Sequence, residues 1–433
     1  MKVLIIGGGG REHCLAWKIS GSDDVEKIFA VPGNPGMEGI ARCIDMGTAK
    51  DDFKGLAHLA EAEGVDMIVV GPEAPLVDGI ADYMKSRGLV TFGPSRDAAM
   101  LEGSKAFAKS ILNKYGIPTA RARVFPAAAY DMARDYIRGQ DRFPLVIKAD
   151  GLAAGKGVLI AEDMEEALEA LDVCMIKRTF GDAGSTVMVE QFLSGYEMSI
   201  LCLCDGKKII PMELAQDYKR IFDGDKGKNT GGMGSYSPVP MVDEKVYRKA
   251  VENIIYPTGE ALIRENIDYR GVLYAGIIVS EGEPYLLEYN CRFGDPETQA
   301  VLPRLKDDLA PILYECSRGS LGIDRLSWDP RCSVCVIAAS RGYPGSSSAG
   351  DMISGLDEAG GIDDILVFHA GTKKEEGNIV TNGGRVLGVT ALGADFGTAR
   401  KKAYDAMDKI SFEGMQYRKD IAGKAEEDDH GKR

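Results

Sequence analysis

The first hundred residues constrain the fold most, because apolar runs and amphipathic stretches alternate along them. Lys2–Ile6 is an apolar run that ends in four glycines, Gly7–Gly10, and Arg11–Ile19 then carries a helical pattern. The strand signal returns at Val25–Val31, Val65–Val70 and Leu89–Phe92, with a helical stretch at Ile80–Gly88 before the last of these. Strands alternating with helices predict a doubly wound parallel α/β unit, placed at residues 1–103.

At 433 residues the chain is long enough for about three domains of ~150 residues with clefts between them. Ser104–Tyr115 reads as a linking helix. A small glycine-hinged α/β piece follows at 125–193, with strands in Phe143–Asp150, Gly157–Ala161 and Ser185–Phe192 and a helix in Glu162–Lys177. Longer strands from Met198 to Asn290, with an amphipathic helix around Tyr247–Glu265, predict a main mixed sheet over 104–124 and 194–329. A smaller mixed domain is expected at 330–433, with a hairpin around Thr381-Asn382-Gly383-Gly384 and a helix from Thr398 to Ile410. Residues 425–433 carry almost no apolar side chain and are expected to be mobile. The predicted class is therefore α/β and α+β multidomain.

Charge and cysteine usage exclude several functions. A formal net charge of -14 disfavours a general nucleic-acid or anionic-membrane binder, so any anionic substrate needs positive charge focused locally. Val3–Ile6 is too short for a signal-peptide core and no run approaches a membrane span, which predicts a cytoplasmic protein. Nine scattered cysteines fit reduced thiols better than a disulfide framework. Cys332 and Cys335 sit in a strand-like run whose odd separation puts them on opposite faces, and no His/Cys spacing suits zinc.

Three segments concentrate chemistry. Gly7–Gly10 with Arg11-Glu12-His13 follows a strand and opens a helix, a place where amides can receive a phosphate. It fails as a dinucleotide fingerprint, because Glu12 takes the third glycine position and the second strand ends in Pro32-Gly33-Asn34 without an acid for a ribose. Lys148 to Gly157 places Lys148 and Lys156 around Gly151 and Gly155; it is no Walker loop, but amides and lysines together can cradle a polyphosphate. Alone, this segment also suits a glycine-rich hairpin with solvated lysines. The strand ending at Leu286–Asn290 puts Glu288 and Asn290 on one face, two oxygen ligands of the kind magnesium accepts alongside water and phosphate. Gln216–Arg220 and Asn229–Gly234 add charge and an amide-rich loop, and on their own could be a surface turn. No nucleophile–His–acid arrangement stands out, which suits phosphoryl transfer by positioning and charge neutralisation.

Taken together, GGGGREH at 7–13, VVGPEAPLVDGI at 69–80, LEGSKAFAKS at 101–110, IKADGLAAGKGV at 147–158, QDYKR at 216–220, NTGGMGSYSP at 229–238, EYNCRFGDPETQ at 288–299, FHAGT at 368–372 and TNGGRVLGVTALG at 381–393 resemble the phosphoribosylamine-glycine ligases, a branch of the ATP-grasp superfamily, almost end to end. The resemblance implies an N-terminal Rossmann-like domain, an ATP-grasp core with a small mobile lid, and ATP between lid and main sheet. It implies Lys105 and Lys148 near the phosphates under the loop Gly151–Gly157. It further implies adenine against backbone groups of Glu190 and Leu193, the ribose on Glu197, and magnesium (manganese as a substitute) on Glu288 and Asn290. Glycine is implied to lie among Asp217, Arg292, Gly294 and Pro296, with Lys148, Asp217 and Arg292 as the groups nearest the chemistry. The implied reaction joins glycine to 5-phosphoribosylamine with conversion of ATP to ADP and phosphate through glycyl phosphate, a step of purine biosynthesis. Only small-molecule partners are expected, in a monomer or weak dimer. The broader superfamily often adds a metal-binding acid on the preceding strand, where this chain has the apolar Tyr274–Ile278, so a second tightly held metal is not expected.

Overall fold

The computed structural model describes residues 1–47, 52–152 and 157–431. The loop positions Gly155 and Lys156 lie outside the described residues.

The N-terminal unit is a five-stranded parallel sheet in the order Arg42–Cys43, Lys27–Pro32, Lys2–Gly7, Met67–Val70, Thr91–Phe92. The chain leaves the central strand Lys2–Gly7 in one direction and returns to its other side at Met67–Val70. The loops after these two strands, Gly8–Gly9 and Gly71–Pro72, therefore flank the crevice where open α/β sheets place ligands. Val3 and Ile5 face one core and Leu4 and Ile6 another, as a sheet covered on both sides requires.

Ser104 starts the next helix, Lys105–Tyr115, by accepting the amide of Phe107, and Gly116 ends it in the left-handed conformation at φ 67°. Residues 122–191 then form an antiparallel sheet in the order Ala122–Pro126, Thr186–Gln191, Leu145–Ala149, Val158–Ala161. The helices Tyr130–Arg138 and Met164–Met175 cover it and close a separate core around Phe125, Ile137, Ile147, Leu171 and Val189. A piece with its own core can move as a unit, which suits a lid.

The main sheet is antiparallel, in the order Ile209–Pro211, Tyr196–Asp205, Arg270–Ser280, Glu283–Asn290. A bulge shapes its outer edge: Gly276 pairs with Glu288 but Ile277 pairs with Leu286, leaving Leu287 as the extra residue. Leu286 and Tyr289 are consequently both in the core, and Glu288 and Asn290 turn to the cleft.

The last sheet crosses the boundary that the sequence suggests. Gln216–Asp217 pairs with Gly234–Ser237, which pairs with Cys332–Ala339, followed by Arg385–Gly393 and Ile365–His369, so the segment around Asp217 is built into the sheet of the C-terminal third. Cys332 and Cys335 are both buried, and all nine cysteines are free thiols.

Three local expectations change. The turn at Thr381–Gly384 is not a hairpin, because Asn378–Thr381 and Arg385–Gly393 belong to different sheets. The hairpin lies one strand earlier, joining Thr372–Glu375 to Asn378–Thr381 through Glu376 and Gly377, both at positive φ. The amphipathic helix starts at Glu244 under an Asp243 cap and runs to Arg264 through a widened turn at Val251–Ile255. The acidic tail is helical over Gly423–Gly431, held by buried Ala425 and by Glu426 paired with Arg400 at 3.4 Å. No helix among the described residues is long and apolar enough to cross a membrane.

Candidate active site

A cleft of about 1040 Å³ runs between the lid, the main sheet and the N- and C-terminal pieces, and it collects most of the residues singled out in the sequence.

Its lid end is basic. In the strand Thr186–Gln191, Val187 and Val189 enter the lid core, so Met188 and Glu190 face the cleft. The buried Glu190 carboxylate takes Lys109 at 2.5 Å on one oxygen and Lys148 on the other. Lys109 also donates to Thr119 Oγ1 at 2.7 Å and to the Ala120 carbonyl at 3.0 Å. Lys105, one helical turn before Lys109, donates to the Gly151 carbonyl at 2.9 Å. Asp150 is tied to the start of that helix by Ser104 Oγ at 3.1 Å and the Ala106 amide at 3.0 Å. Burial pulls Lys105 and Lys109 below the usual lysine range despite their acidic neighbours.

The opposite end is acidic. Lys219 lies 2.8 Å from Glu197 and 3.8 Å from Glu288. Burial pushes the Asp217 carboxyl up to about 8, Lys219 opposes this, and Glu297, Glu197 and Glu288 add to it. Glu288 differs: burial pushes it up, but Lys219, Lys148, Lys105 and Arg292 outweigh that and hold it below the ordinary value. Glu297 is buried and accepts from Tyr274 OH at 3.0 Å, and that hydroxyl also meets Ser199 Oγ at 2.8 Å.

Arg292 forms the junction with the N-terminal unit. Its Nε donates to Glu73 at 3.2 Å, Nη2 to Glu102 at 3.2 Å and Asn290 Oδ1 at 3.1 Å, and Nη1 to the Phe293 carbonyl at 3.2 Å. Of its five N–H groups, four are engaged, which fixes the guanidinium in place.

Most of the remaining expected residues border the cleft, and two do not. Glu197 and Leu193 line the cleft, with Leu193 just beyond the strand that carries Glu190. Gly151 and Gly157 also line it. Gly294 and Pro296 are buried outside the lining, where Pro296 packs beneath Gly232 and its carbonyl accepts from Ser235 Oγ at 2.8 Å. Their neighbours Asp295 and Glu297 face the cleft instead.

The N-terminal glycine turn is not an open phosphate cradle. Glu12 occupies it, accepting the Gly9 amide at 2.6 Å and Arg11 Nε at 2.5 Å, and a Cβ on Gly71 would sit 2.1 Å from its carboxylate. The turn's glycines make room for that carboxylate, and Arg11 is left facing the cleft beside Phe293. Sequence reasoning singled out neither Glu73, Glu102, Lys109 nor Arg385. Arg385 binds Asp295 at 3.0 Å and the Gly231 carbonyl, tying the C-terminal sheet to the site. The spacing of Lys105 and Lys109 on one helix face was the available signal for Lys109; the others meet only in three dimensions.

Among the described residues, no three metal-ligating side chains converge. Magnesium requires few protein ligands when phosphate and water supply the rest, and Glu288 and Asn290 on one edge beside an excess of carboxylates have that chemistry.

Residues 1–102, 103–298 and 333–424 match the phosphoribosylglycinamide synthetase N domain, ATP-grasp (A) domain and C domain. A phosphoribosylamine-glycine ligase of Caldanaerobacter subterraneus is 48% identical over 422 residues, spanning 98% of this chain and 99% of the relative. One from Neisseria meningitidis serogroup B is 48% identical over 429 residues, with 98% and 99% covered. The crystal structure of the Thermotoga maritima phosphoribosylamine-glycine ligase superposes with a TM-score of 0.83 at 34% identity, covering 97% of this chain and all 100% of that one. A biotin carboxylase of Campylobacter jejuni shares the fold alone, at 15% identity and a TM-score of 0.73 over 97% and 93% of the two chains. The chain belongs to the phosphoribosylamine-glycine ligase family.

Proposed function

We propose that the protein joins glycine to 5-phosphoribosylamine, converting ATP to ADP and phosphate, in purine biosynthesis. The carrying observation is the pair of oppositely unbalanced ends of one cleft: Lys105 and Lys148 under the lid, and Asp217 with its acidic neighbours across from them. A polyphosphate supplies the charge the first end lacks, and an ammonium and a divalent cation supply what the second lacks.

Glycine lies with its ammonium at Asp217 and its carboxylate at the remaining N–H of Arg292. A carboxylate oxygen attacks the γ-phosphorus of ATP, ADP leaves, and glycyl phosphate forms; the aminosugar nitrogen then attacks the carbonyl carbon, phosphate leaves and the nitrogen gives up a proton. Lys105 and Lys148 offset charge on the phosphates, which requires each to leave its present partner, the Gly151 carbonyl and Glu190. Glu288 and Asn290 would hold magnesium, which lowers the charge on the transferring phosphoryl group. Adenine sits at Glu190 and Leu193, and Glu197 takes the ribose. The aminosugar approaches from the side of the N-terminal unit, where Arg11 and Glu73 line the cleft. Closure of the lid excludes water from an acyl phosphate that water would destroy.

The test is ADP release measured with each component omitted in turn. ADP and phosphate are expected at equal rates only with glycine, phosphoribosylamine, ATP and magnesium all present. Sustained turnover without glycine, or with bicarbonate in its place, overturns the assignment.

A further inference from the structure

The segment that carries Asp217 and Lys219 is gripped from behind by residues near the C-terminus. Asp217, Tyr218 and Lys219 all border the cleft, and Tyr218 is in addition held from the side of the C-terminal segment. Tyr218 is 7% exposed; its hydroxyl accepts the Ala422 amide at 3.0 Å, and its ring lies 4.6 Å from the Arg418 guanidinium. Arg418 is 1% exposed and does not line the cleft. It donates to the Arg220 carbonyl at 3.0 Å, to Asp225 at 2.9 Å, and to both oxygens of Asp420 at 2.7 and 2.6 Å. Two further bonds run alongside, from the Lys419 amide to Asp223 at 2.8 Å and from the Gly224 amide to Asp420 at 2.8 Å.

Packing alone does not explain such an arrangement. The guanidinium must be stripped of water while Asp225 and Asp420 stay partly exposed, and an apolar side chain of similar volume fills the same space at lower cost. What the ion pairs add is direction. Arg418 joins the hairpin Arg220–Phe222 with Lys226–Asn229 to the segment 418–422, which in turn bonds to the helix Phe396–Met407: Arg400 donates to the Lys419 carbonyl at 2.7 Å and the Ile421 carbonyl at 3.1 Å. Asp217, read above as the partner of the ammonium, lies just before that hairpin, in the strand Gln216–Asp217.

We infer that Arg418 is a positioning residue for recognition of the amino acid's ammonium group: through Tyr218 and the Arg220 carbonyl it fixes where Asp217 and Lys219 point. The inference rests on the reading of Asp217 given above. A misplaced binding group costs affinity even though it remains present. The phosphate contacts Lys105 and Lys148 sit on the helix Lys105–Tyr115 and the lid, which Arg418 does not touch, and Glu197 is reached only through Lys219, so the effect falls mainly on glycine.

The experiment compares Arg418→Met, Arg418→Lys and Asp217→Asn in the full-length enzyme, well below the unfolding temperature of each. Arg418→Met is expected to raise the glycine requirement about tenfold and to shift the ATP requirement less than about twofold. Arg418→Lys, which keeps the cation over Tyr218, recovers part of the loss. Hydrogen exchange should quicken over residues 217–233 and stay unchanged in the strand Lys2–Gly7. If Asp217→Asn raises the glycine requirement while folded Arg418→Met does not, the positioning role is wrong and the Asp217 reading stands. A parallel rise for ATP and glycine means general loosening and also overturns it. If Asp217→Asn leaves the glycine requirement unchanged, the Asp217 reading has failed, and unaltered exchange over 217–233 in Arg418→Met separately overturns the brace. Should Arg418→Met not fold, Tyr218→Phe, which deletes only the hydroxyl bonded to Ala422, must show the same selective pattern at smaller size.

Discussion

The two ends of the cleft are built from the same materials and tuned in opposite directions. At the lid end Lys105, Lys109 and Lys148 gather around Glu190, and burial pulls Lys105 and Lys109 below the usual lysine range. At the other end Asp217, Glu197, Glu288 and Glu297 gather around Lys219, and Asp217 is pushed up to about 8. Charges buried in balanced pairs make a rigid wall. Charges buried in surplus make a binding site, because the missing counter-charge is supplied by the ligand. Each end contains one internal stand-in, Glu190 among the lysines and Lys219 among the acids, which limits repulsion while the cleft is empty.

The largest effect should come from the group shared by both ends. Glu288 is influenced by Lys105 and Lys148 from one side and by Lys219 from the other. Removing its charge by Glu288→Gln should lower kcat about 100- to 1000-fold while changing ATP affinity less than about tenfold, because charge neutralisation matters most in the transition state. Near-normal turnover at saturating magnesium would take Glu288 out of the cation site and break the picture of a shared border.

The two ends should fail independently in the next pair of variants. Asp217→Asn removes a charge-assisted bond worth about 1.5–3 kcal/mol, which corresponds to a glycine requirement raised about tenfold to a hundredfold with the ATP requirement little changed. Lys148→Met should do the reverse, raising the ATP requirement by a similar factor. Rejection of alanine should survive Asp217→Asn, since excluding a methyl group depends on close packing and not on the ammonium contact. Steady-state kinetics with each substrate varied in turn measures all three. A glycine defect in Lys148→Met as large as its ATP defect would show one coupled charge network instead of two ends.

How much of this was legible depends on whether the signal was periodic. The alternating start, the helix capped by Ser104 and the shared face of Glu288 and Asn290 follow from local spacing, and the structure keeps all three. The bulge at Leu287 that turns that face outward has no local mark, because it depends on pairing with Gly276 and Ile277. Asn382-Gly383 resembles a hairpin turn, but tertiary pairing gave the turn to Glu376-Gly377, where a glutamate accepts positive φ. Glu12 looked like a flaw in a phosphate loop, and it is instead the anion that fills it. The grip of Arg418 on a hairpin some two hundred residues earlier, at a separation of 198 to the Arg220 carbonyl, leaves no periodic trace at all.

The smallest expected effect tests the acidic surplus most directly, because it follows a proton. With Asp217 pushed up to about 8 in the empty cleft, its carboxyl is mostly protonated at pH 7. Glycine brings an ammonium, and a cation beside a carboxyl favours its ionised form. Binding should therefore expel the proton, so calorimetry at pH 7 in buffers of different ionisation enthalpy, with neither nucleotide nor magnesium present, should register release of a fraction of one proton per glycine bound. Asp217→Asn should abolish the release. In the unaltered protein it should also fade above pH 9, where the carboxyl has already ionised. The sign for stability follows from the same shift. A carboxyl raised from 3.8 to about 8 on folding contributes stability that is present below pH 4 and lost as pH rises towards 8, since the folded state binds more protons throughout that window. The ligand-free Asp217→Asn variant should therefore lose less stability than the parent between pH 4 and 8. Glycine binding without proton release, together with parallel stability profiles, would mean that Lys219 already balances Asp217, and the acidic end would then be a wall and not a site.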